Sequence, residues 1–434
     1  MLESLTITNF KSIKNLPLSF GQVNIFIGGN GVGKSNILEA IGILSAGLSR
    51  DITPNELQRK GVRLSVPALF KASFKNKKLP KNLGLKATFS GDVHYNMTLT
   101  ARDNDDVLRF NSEGILHKDH ELMGRSNRGV KIKGLFKQTQ KDLDKTRGLW
   151  DRFREVTDYG NVVNDELNEM RNYAIYSPHT AFLRGTAIES SLVSPLGLQG
   201  SNLPKAASSV LPVIKRLRRV VMLAEKDVDL SKNEKEKIIE KSEHFDDVLS
   251  LVWGPGWADF FHISPATSGK VSSIVKTGEE TLFFRDRYMH GTRKMLSAYD
   301  SSEGTLYLLF LAVLLLHENT PNIFGIDNID NALNPRMTRE ALEKIINFVS
   351  WCNQNGDNKQ VFLTSHNPTA LDAFDIFNDD QRIFIVSRHQ DTGETVVTRL
   401  EPPEGMTKDK WINYSDGKNL SELWIEGRLP GDAI

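Results

Sequence analysis

The chain has 434 residues, enough to bury a substantial core and to form two or three structural units. Hydrophobic residues make up 39% and charged residues 25%, near the values of ordinary soluble proteins. A formal net charge of +1 excludes a wholly basic protein, so any nucleic-acid surface must be a local patch. The single cysteine, Cys352, cannot form an internal disulfide; this fits a reducing cytosol and a small buried side chain.

The opening MLESLTITNFKSI lacks a basic stretch followed by an apolar run, so no signal peptide is expected. Residues 2–10 and 16–20 alternate apolar and polar, which predicts an antiparallel pair. VNIFIG (23–28) is nearly continuous in apolar residues, as at the centre of a sheet. It runs into GGNGVGKS and then the helical spacing of NILEAIGILSAGL. From about 50 to 150 the chain is more polar, with lysines at 71, 75, 77, 78, 81 and 86, and reads as a lobe of β-hairpins. RNYAIYSP (171–178) predicts a strand ending at its proline.

Helical periodicity covers 205–252, too short for a coiled-coil arm and better read as a helical insertion. ETLFFRDR (280–287) is strand-like, and LYLLFLAVLLL (306–316) spans roughly half a bilayer, so it predicts a buried helix. PNIFGID (321–327) and QVFLTSH (360–366) predict buried strands on either side of the amphipathic helix PRMTREALEKIINFVSWC. Segments 382–389 and 396–402 predict edge strands. The expected product is a cytoplasmic protein without membrane contact.

Two motifs carry chemistry. Gly28, Gly33, Lys34 and Ser35 satisfy G-x-x-x-x-G-K-S between a buried strand and a helix. Glycines let successive N–H groups turn toward phosphate oxygens, and the helix start adds its positive dipole end. Lys34 can reach the outer phosphates, and the Ser35 hydroxyl is placed for Mg²⁺. Mg²⁺ needs a carboxylate from a separate buried strand, and Asp327 ends IFGID. A nucleoside triphosphate with Mg²⁺ is therefore expected, with ATP as the expected cofactor and ATP against GTP left open, because the loop reads phosphates and not bases.

Three further stretches narrow the class. The loop GGNGVGKSN, with Asn30, Gly31, Gly33, Lys34, Ser35 and Asn36, resembles the G-x-N-G-x-G-K-S-N form of ABC-type ATPases of the RecF, SMC and OLD group. The opening LTITNFKSIK resembles that group's first strand and turn. SSEGT is similar to its signature sequence, with Ser302 and Gly304 carrying it, and VFLTSHNPTAL to its switch-histidine segment, with His366. The resemblance covers the first 50 residues and about 280–390.

It implies an α/β ABC-type ATPase head with a mixed central sheet, an antiparallel β sub-lobe and a helical insertion. The expected division is 1–200 for the first ATPase lobe, 201–265 for the insertion and 266–434 for the second lobe. It also implies that Ser302 and Gly304 serve a γ-phosphate held by another subunit, giving a homodimer or higher oligomer through an ATP sandwich. Taken alone, Ser302 is also a plain helix N-cap and His366 a core histidine.

The family pattern has a glutamate after the Mg²⁺ aspartate, and this chain has Asn328. A carboxamide orients water but cannot take its proton, a form of help worth roughly 10²–10⁴-fold. Asp330 is the candidate substitute carboxylate. The expected activity is slow ATP hydrolysis by a dimerising switch, acting as the sensor ATPase of a bacterial anti-phage defence system. No acidic cluster of a fused nuclease is visible, so a separate effector, a nuclease or toxin, is the expected partner. The alternatives are a RecF-like repair ATPase that clamps DNA and a non-hydrolysing scaffold cemented by ATP. Basic runs at 71–86, 125–147 and 214–219 make DNA a candidate partner.

Overall fold

A computed structural model describes residues 1–101, 106–126, 128–135, 144–190, 193–224, 231–266, 271–272, 274–275 and 278–429. Part of the basic run at 125–147 lies outside the described residues. The chain forms two compact units. The first holds residues 1–175, 321–329 and 352–434, and the second holds 176–320 and 330–351.

The first unit begins with strands β1 (Leu2–Phe10) and β2 (Ile13–Ser19), an antiparallel pair closed by a two-residue turn in which Phe10 faces Ile13. Leu2, Leu5, Ile7 and Phe10 are buried, while Glu3 is exposed. Strand β3 (Val23–Ile27) is buried at every position and leads through the glycine loop into helix α1 (Lys34–Leu48). Helix α2 (Pro54–Arg59) starts with Pro54 at its first position, and its Thr53 cap accepts the Glu56 N–H.

The polar stretch that follows forms β4 (Asn82–Phe89), β5 (Val93–Thr100), β6 (Arg109–His117), β7 (His120–Ser126) and β8 (Gly129–Ile132). With β1 and β2 they make a seven-stranded antiparallel sheet in the order β2-β1-β4-β5-β6-β7-β8. Period-two patterning decides its faces: Val93, Tyr95, Met97 and Leu99 point inward from β5, and His94, Asn96, Thr98 and Thr100 point outward. Helices α3 (Leu149–Phe153) and α4 (Asn161–Arg171) follow. Strand β9 keeps only Ile175–Tyr176 of the longer strand expected at 171–178, because Arg171 still belongs to α4.

In the second unit a short helix α5 (Thr180–Leu183) precedes the helical stretch expected at 205–252, which resolves into α6 (Leu203–Ala224) and α7 (Lys232–Ser250), with α6 packed on α7. The α7 start is a capping box in which Ser231 and Glu234 each bond the other's backbone N–H. Strands β10 (Ala258–Pro265), β11 (Glu280–Asp286) and β12 (Met295–Ser297) form a small antiparallel sheet. Helix α8 (Glu303–Leu316) is buried from Gly304 to Leu316, as its all-round apolar sequence requires. Among the described residues no helix is long and apolar enough to cross a membrane.

Strand β13 (Ile323–Ile326) belongs to the first unit; helix α9 (Pro335–Gln354) lies mostly in the second. The chain then adds β14 (Gln360–Ser365), β15 (Gln381–Arg388) and β16 (Thr395–Leu400) to the first unit, and ends in α10 (Lys408–Ser415) and α11 (Leu420–Ile425). The central sheet runs β16-β15-β3-β14-β13-β9. Strands β15, β3, β14 and β13 are mutually parallel and β16 is antiparallel, so the sheet is mixed. The Gln360 side chain accepts the Leu2 N–H at 2.9 Å and donates to the Leu2 and Gly21 carbonyls at 2.8 Å, which ties β1 to the start of β14.

One ion pair is wholly buried under the seven-stranded sheet. Glu113 accepts the Leu149 N–H at 3.0 Å and the Tyr95 hydroxyl at 3.0 Å, and it lies 3.8 Å from Arg125. Arg125 donates to the Arg147 carbonyl at 2.8 Å and stacks over Phe110. Burial pushes the Glu113 carboxyl up from 4.5 to about 7, with Arg125 and the Leu149 N–H opposing. Between these values the folded chain holds a proton that the unfolded chain has lost. The stabilisation is therefore complete below about 4.5 and is lost as the pH rises through about 7. Urea midpoints of Glu113→Gln should fall less across that window than those of the parent chain. Parallel curves would place the titration elsewhere.

Candidate functional site

The glycine loop is shaped by its neighbours as much as by its own sequence. Gly31 and Gly33 have φ of 77° and 113°, which L side chains rarely adopt. A Cβ on Gly33 would also enter the space of the Thr395 and Ser12 hydroxyls. Ser12 lies in the β1–β2 turn and Thr395 opens β16. Their hydroxyls are 2.7 Å apart, Thr395 donates to the Val32 carbonyl at 2.9 Å, and Asn36 donates to Ser12 at 2.8 Å. A turn and an edge strand thus brace the loop from outside. Inside it, the Lys34 ammonium donates to the Gly28 and Gly29 carbonyls, both at 2.8 Å. Gly29, Asn30 and Gly31 are exposed at the rim.

Asp327 follows β13 and meets Ser35 in the first turn of α1. The Ser35 hydroxyl lies 3.0 and 2.9 Å from the two carboxylate oxygens, and Thr364 donates to Oδ1 at 2.6 Å. Thr364 sits on β14, the strand between β3 and β13, and its Oγ1 also accepts the Asn328 N–H at 2.8 Å. Asn328 has φ of 57°, a left-handed conformation that asparagine tolerates better than glutamate does. His366 is exposed directly after β14. Lys34, Ser35, Asp327, Asn328 and His366 all lie beyond the carboxyl ends of parallel strands, where ligands of open α/β sheets bind.

Sequence reasoning missed Thr364, Ser12 and Thr395, which lie outside the motif letters, although Thr364 falls inside VFLTSH. It also missed the buried Glu39, one helical turn after Ser35, which pairs with Lys11 and with Arg63 at 2.5 Å. Burial lowers the Lys11 pKa, against the opposing charge of Glu39. Arg63 also feels the charge of Asp327.

Ser302, Gly304 and Asp330 belong to the second unit. Ser302 is exposed at the N-cap of α8, yet its side chain makes no capping bond. Glu303 receives the Thr180 hydroxyl. Gly304 is buried, and a Cβ there would stand 3.0 Å from the Ala332 carbonyl. Asp330 is 6% exposed and opens a turn whose Leu333 N–H returns to its carbonyl.

A glycine cradle at a helix start, with a lysine inside it and a Ser–Asp pair that reaches across β14, defines a P-loop ATPase domain. The chain belongs to the family described as "AAA domain, putative AbiEii toxin, Type IV TA system", whose model matches residues 23–372. A segment of 49 residues, 11% of this chain, is 51% identical to the DNA replication and repair protein RecF of Clostridioides difficile (strain 630). That match spans 13% of the RecF protein's length. Similar solved structures include an SMC head bound to the C-winged helix domain of ScpA, at 14% identity and a TM-score of 0.46, covering 93% of this chain and 99% of that one. Another is RecF with ATP in the RecFOR pathway, at 13% identity and a TM-score of 0.37, covering 92% of this chain and 99% of that one.

Thr364→Val keeps the branched shape but removes both hydroxyl bonds. One charge-assisted bond is worth about 1.5–3 kcal/mol, so Mg²⁺-dependent affinity for a fluorescent nucleotide should fall by about tenfold or more. Unchanged affinity in that titration would show that Thr364 does not position Asp327.

Proposed function

We propose that the chain binds ATP with Mg²⁺, hydrolyses it slowly, and uses it to pair two copies of the head as the regulator of an anti-phage defence system with a separate effector. The observation that carries the reading is Asp327, held between the Ser35 and Thr364 hydroxyls and followed by Asn328 in place of an acid. The residues fit the cofactor. Serine hydroxyl and carboxylate are hard oxygen donors, as Mg²⁺ requires, and the glycine turns leave N–H groups for phosphate oxygens. Bound Mg²⁺ supplies neutralisation of phosphate charge.

Ser35 and Asp327 would hold the ion. Lys34 would leave the Gly28 and Gly29 carbonyls for the outer phosphates, a short swing that keeps its ammonium bonded throughout. Asn328 orients water without accepting its proton, and His366 would contact the γ-phosphate. Two observations support pairing through the signature turn: Ser302 is exposed, and its hydroxyl is not consumed by capping. Gly304 lets that turn lie close to the Ala332 carbonyl. Membership of a family described by a putative toxin and a type IV toxin–antitoxin system supports the defence role.

The RecF-matching segment favours a second reading, a repair ATPase that holds DNA. Three charges of the basic runs weigh against it. Lys71 donates to the Ala101 carbonyl at 2.6 Å, Lys77 pairs with Glu394 at 2.5 Å, and Arg218 pairs with Asp246 at 2.7 Å. These three charges are engaged within the chain.

Phosphate release should be slow in the parent chain and absent in Lys34→Ala. Asn328→Glu should raise the rate at least about tenfold, the lower part of the 10²–10⁴ range for proton transfer being reduced by left-handed strain of about 1–2 kcal/mol. Equal rates for parent and variant would show the substitution to be silent. Ser302→Arg should abolish the ATP-dependent rise in mass seen by light scattering while leaving nucleotide binding intact. A variant that still dimerises would remove the signature turn from the interface.

A further inference from the structure

The second unit contains a groove that the nucleotide chemistry does not use. Its volume is about 630 Å³. Ser208, Leu211 and Lys215 of α6 form one wall, Leu249 and Trp253 lie in it, and residues 259–263 of β10 form the other wall. Strand β10 is the edge of the sheet β10-β11-β12 and bonds β11 on one side only. Among the described residues no strand pairs with its other side. An antiparallel ladder engages alternate residues, so the remaining N–H and C=O groups of this edge face outward.

The opposite wall offers a second backbone group. Pro212 lies within α6 and has no N–H, so the Ser208 carbonyl lacks its usual helical donor four residues on. Both residues line the groove.

Charge distinguishes the occupant further. Arg218 is held by Asp246 at 2.7 Å, and Asp259 by Arg285 at 2.6 Å. Lys215 is exposed and makes no ion pair among the described residues, so it is the uncompensated charge of the lining.

We propose that the groove between α6 and β10 receives an extended acidic segment of a partner protein, which joins the small sheet as a fourth strand beside β10. A helix satisfies its own backbone and would leave the β10 edge unpaired; an extended chain pairs it. With a period of two, alternate side chains of that segment face Leu211, Leu249 and Trp253. An acid between them reaches Lys215. Main-chain bonds then supply affinity, and the groove and its lysine supply selection. The site lies wholly within the second unit and does not rest on the nucleotide reading.

The test uses the full chain without nucleotide and follows the fluorescence anisotropy of dye-labelled, acetylated peptides. A peptide of alternating valine and glutamate should bind saturably, and its valine–lysine counterpart about threefold or more weakly. Lys215→Glu, an exposed change, should reverse that order. N-methylation of alternate amides should cost about tenfold in one register and little in the other, because only one set faces β10. Three outcomes overturn the proposal: no saturable binding by either peptide, equal effects of N-methylation in both registers, or tighter binding of a helical peptide of the same charge.

Discussion

The carboxylate of Asp327 emerges from a strand buried at every position, where an unpartnered charge is costly. Two hydroxyls answer it, and they come from the two strands that precede it in the sheet order: Ser35 beyond β3, and Thr364 on β14. Because β14 lies between β3 and β13, its side chain spans the gap between the phosphate loop and the aspartate. Parallel strands about 4.8 Å apart place the ends of β3 and β13 nearly 10 Å from one another. A residue on the middle strand is what makes them one site. The same threonine accepts the Asn328 N–H, so the position of the carboxylate and the path of the chain after it are set together.

A second constraint acts on the loop from the other side. Ser12 and Thr395 are 383 residues apart in sequence, yet their hydroxyls meet beside Gly33. The shape of the cradle therefore depends on contacts from both β16 and the β1–β2 turn. Local sequence supplies the glycines; tertiary structure decides which way the loop turns. Lys34 adds the last element, because its ammonium bonds the loop carbonyls at Gly28 and Gly29 and holds the cavity in shape. Glu39 has a comparable role one turn deeper, where Lys11 and Arg63 converge on a carboxylate buried in α1.

Much of this was legible because motif and periodicity coincide. β3 reads as a nearly continuous apolar run before glycines, and the structure buries all five of its residues; α8 reads as a helix without a polar face, and its residues from Gly304 on are buried. The antiparallel lobe showed its alternation most clearly in β5. Legibility failed where contacts are long-range or turn on single hydroxyls. Thr364, Ser12 and Thr395 look like ordinary strand and turn residues, and nothing in their spacing signals partners 37 positions away for Thr364 or 383 for the Ser12–Thr395 pair. The Glu113–Arg125 pair was equally silent, since charges at inward positions of a strand become meaningful only when the opposing helix and loop are in place. The strand expected at 171–178 shrank to two residues because α4 runs to Arg171, a helix boundary that apolar spacing alone does not mark.

Asn328 joins the two levels. Its left-handed backbone suits asparagine, whose short polar side chain tolerates φ near 57°, and disfavours glutamate by about 1–2 kcal/mol. That strain is small beside the roughly 3–5 kcal/mol that a proton-accepting group contributes to a reaction barrier. Local conformation alone therefore does not require an amide in a site selected for turnover. An amide at this position suits the left-handed turn, and its backbone N–H keeps the Thr364 bond; what the amide side chain cannot do, and a carboxylate can, is accept a proton. On the reading proposed above, such a site would still bind ATP and would give up the step that ends the bound state quickly. The proposed switch, which would have to persist until a partner responds, would be served by that combination.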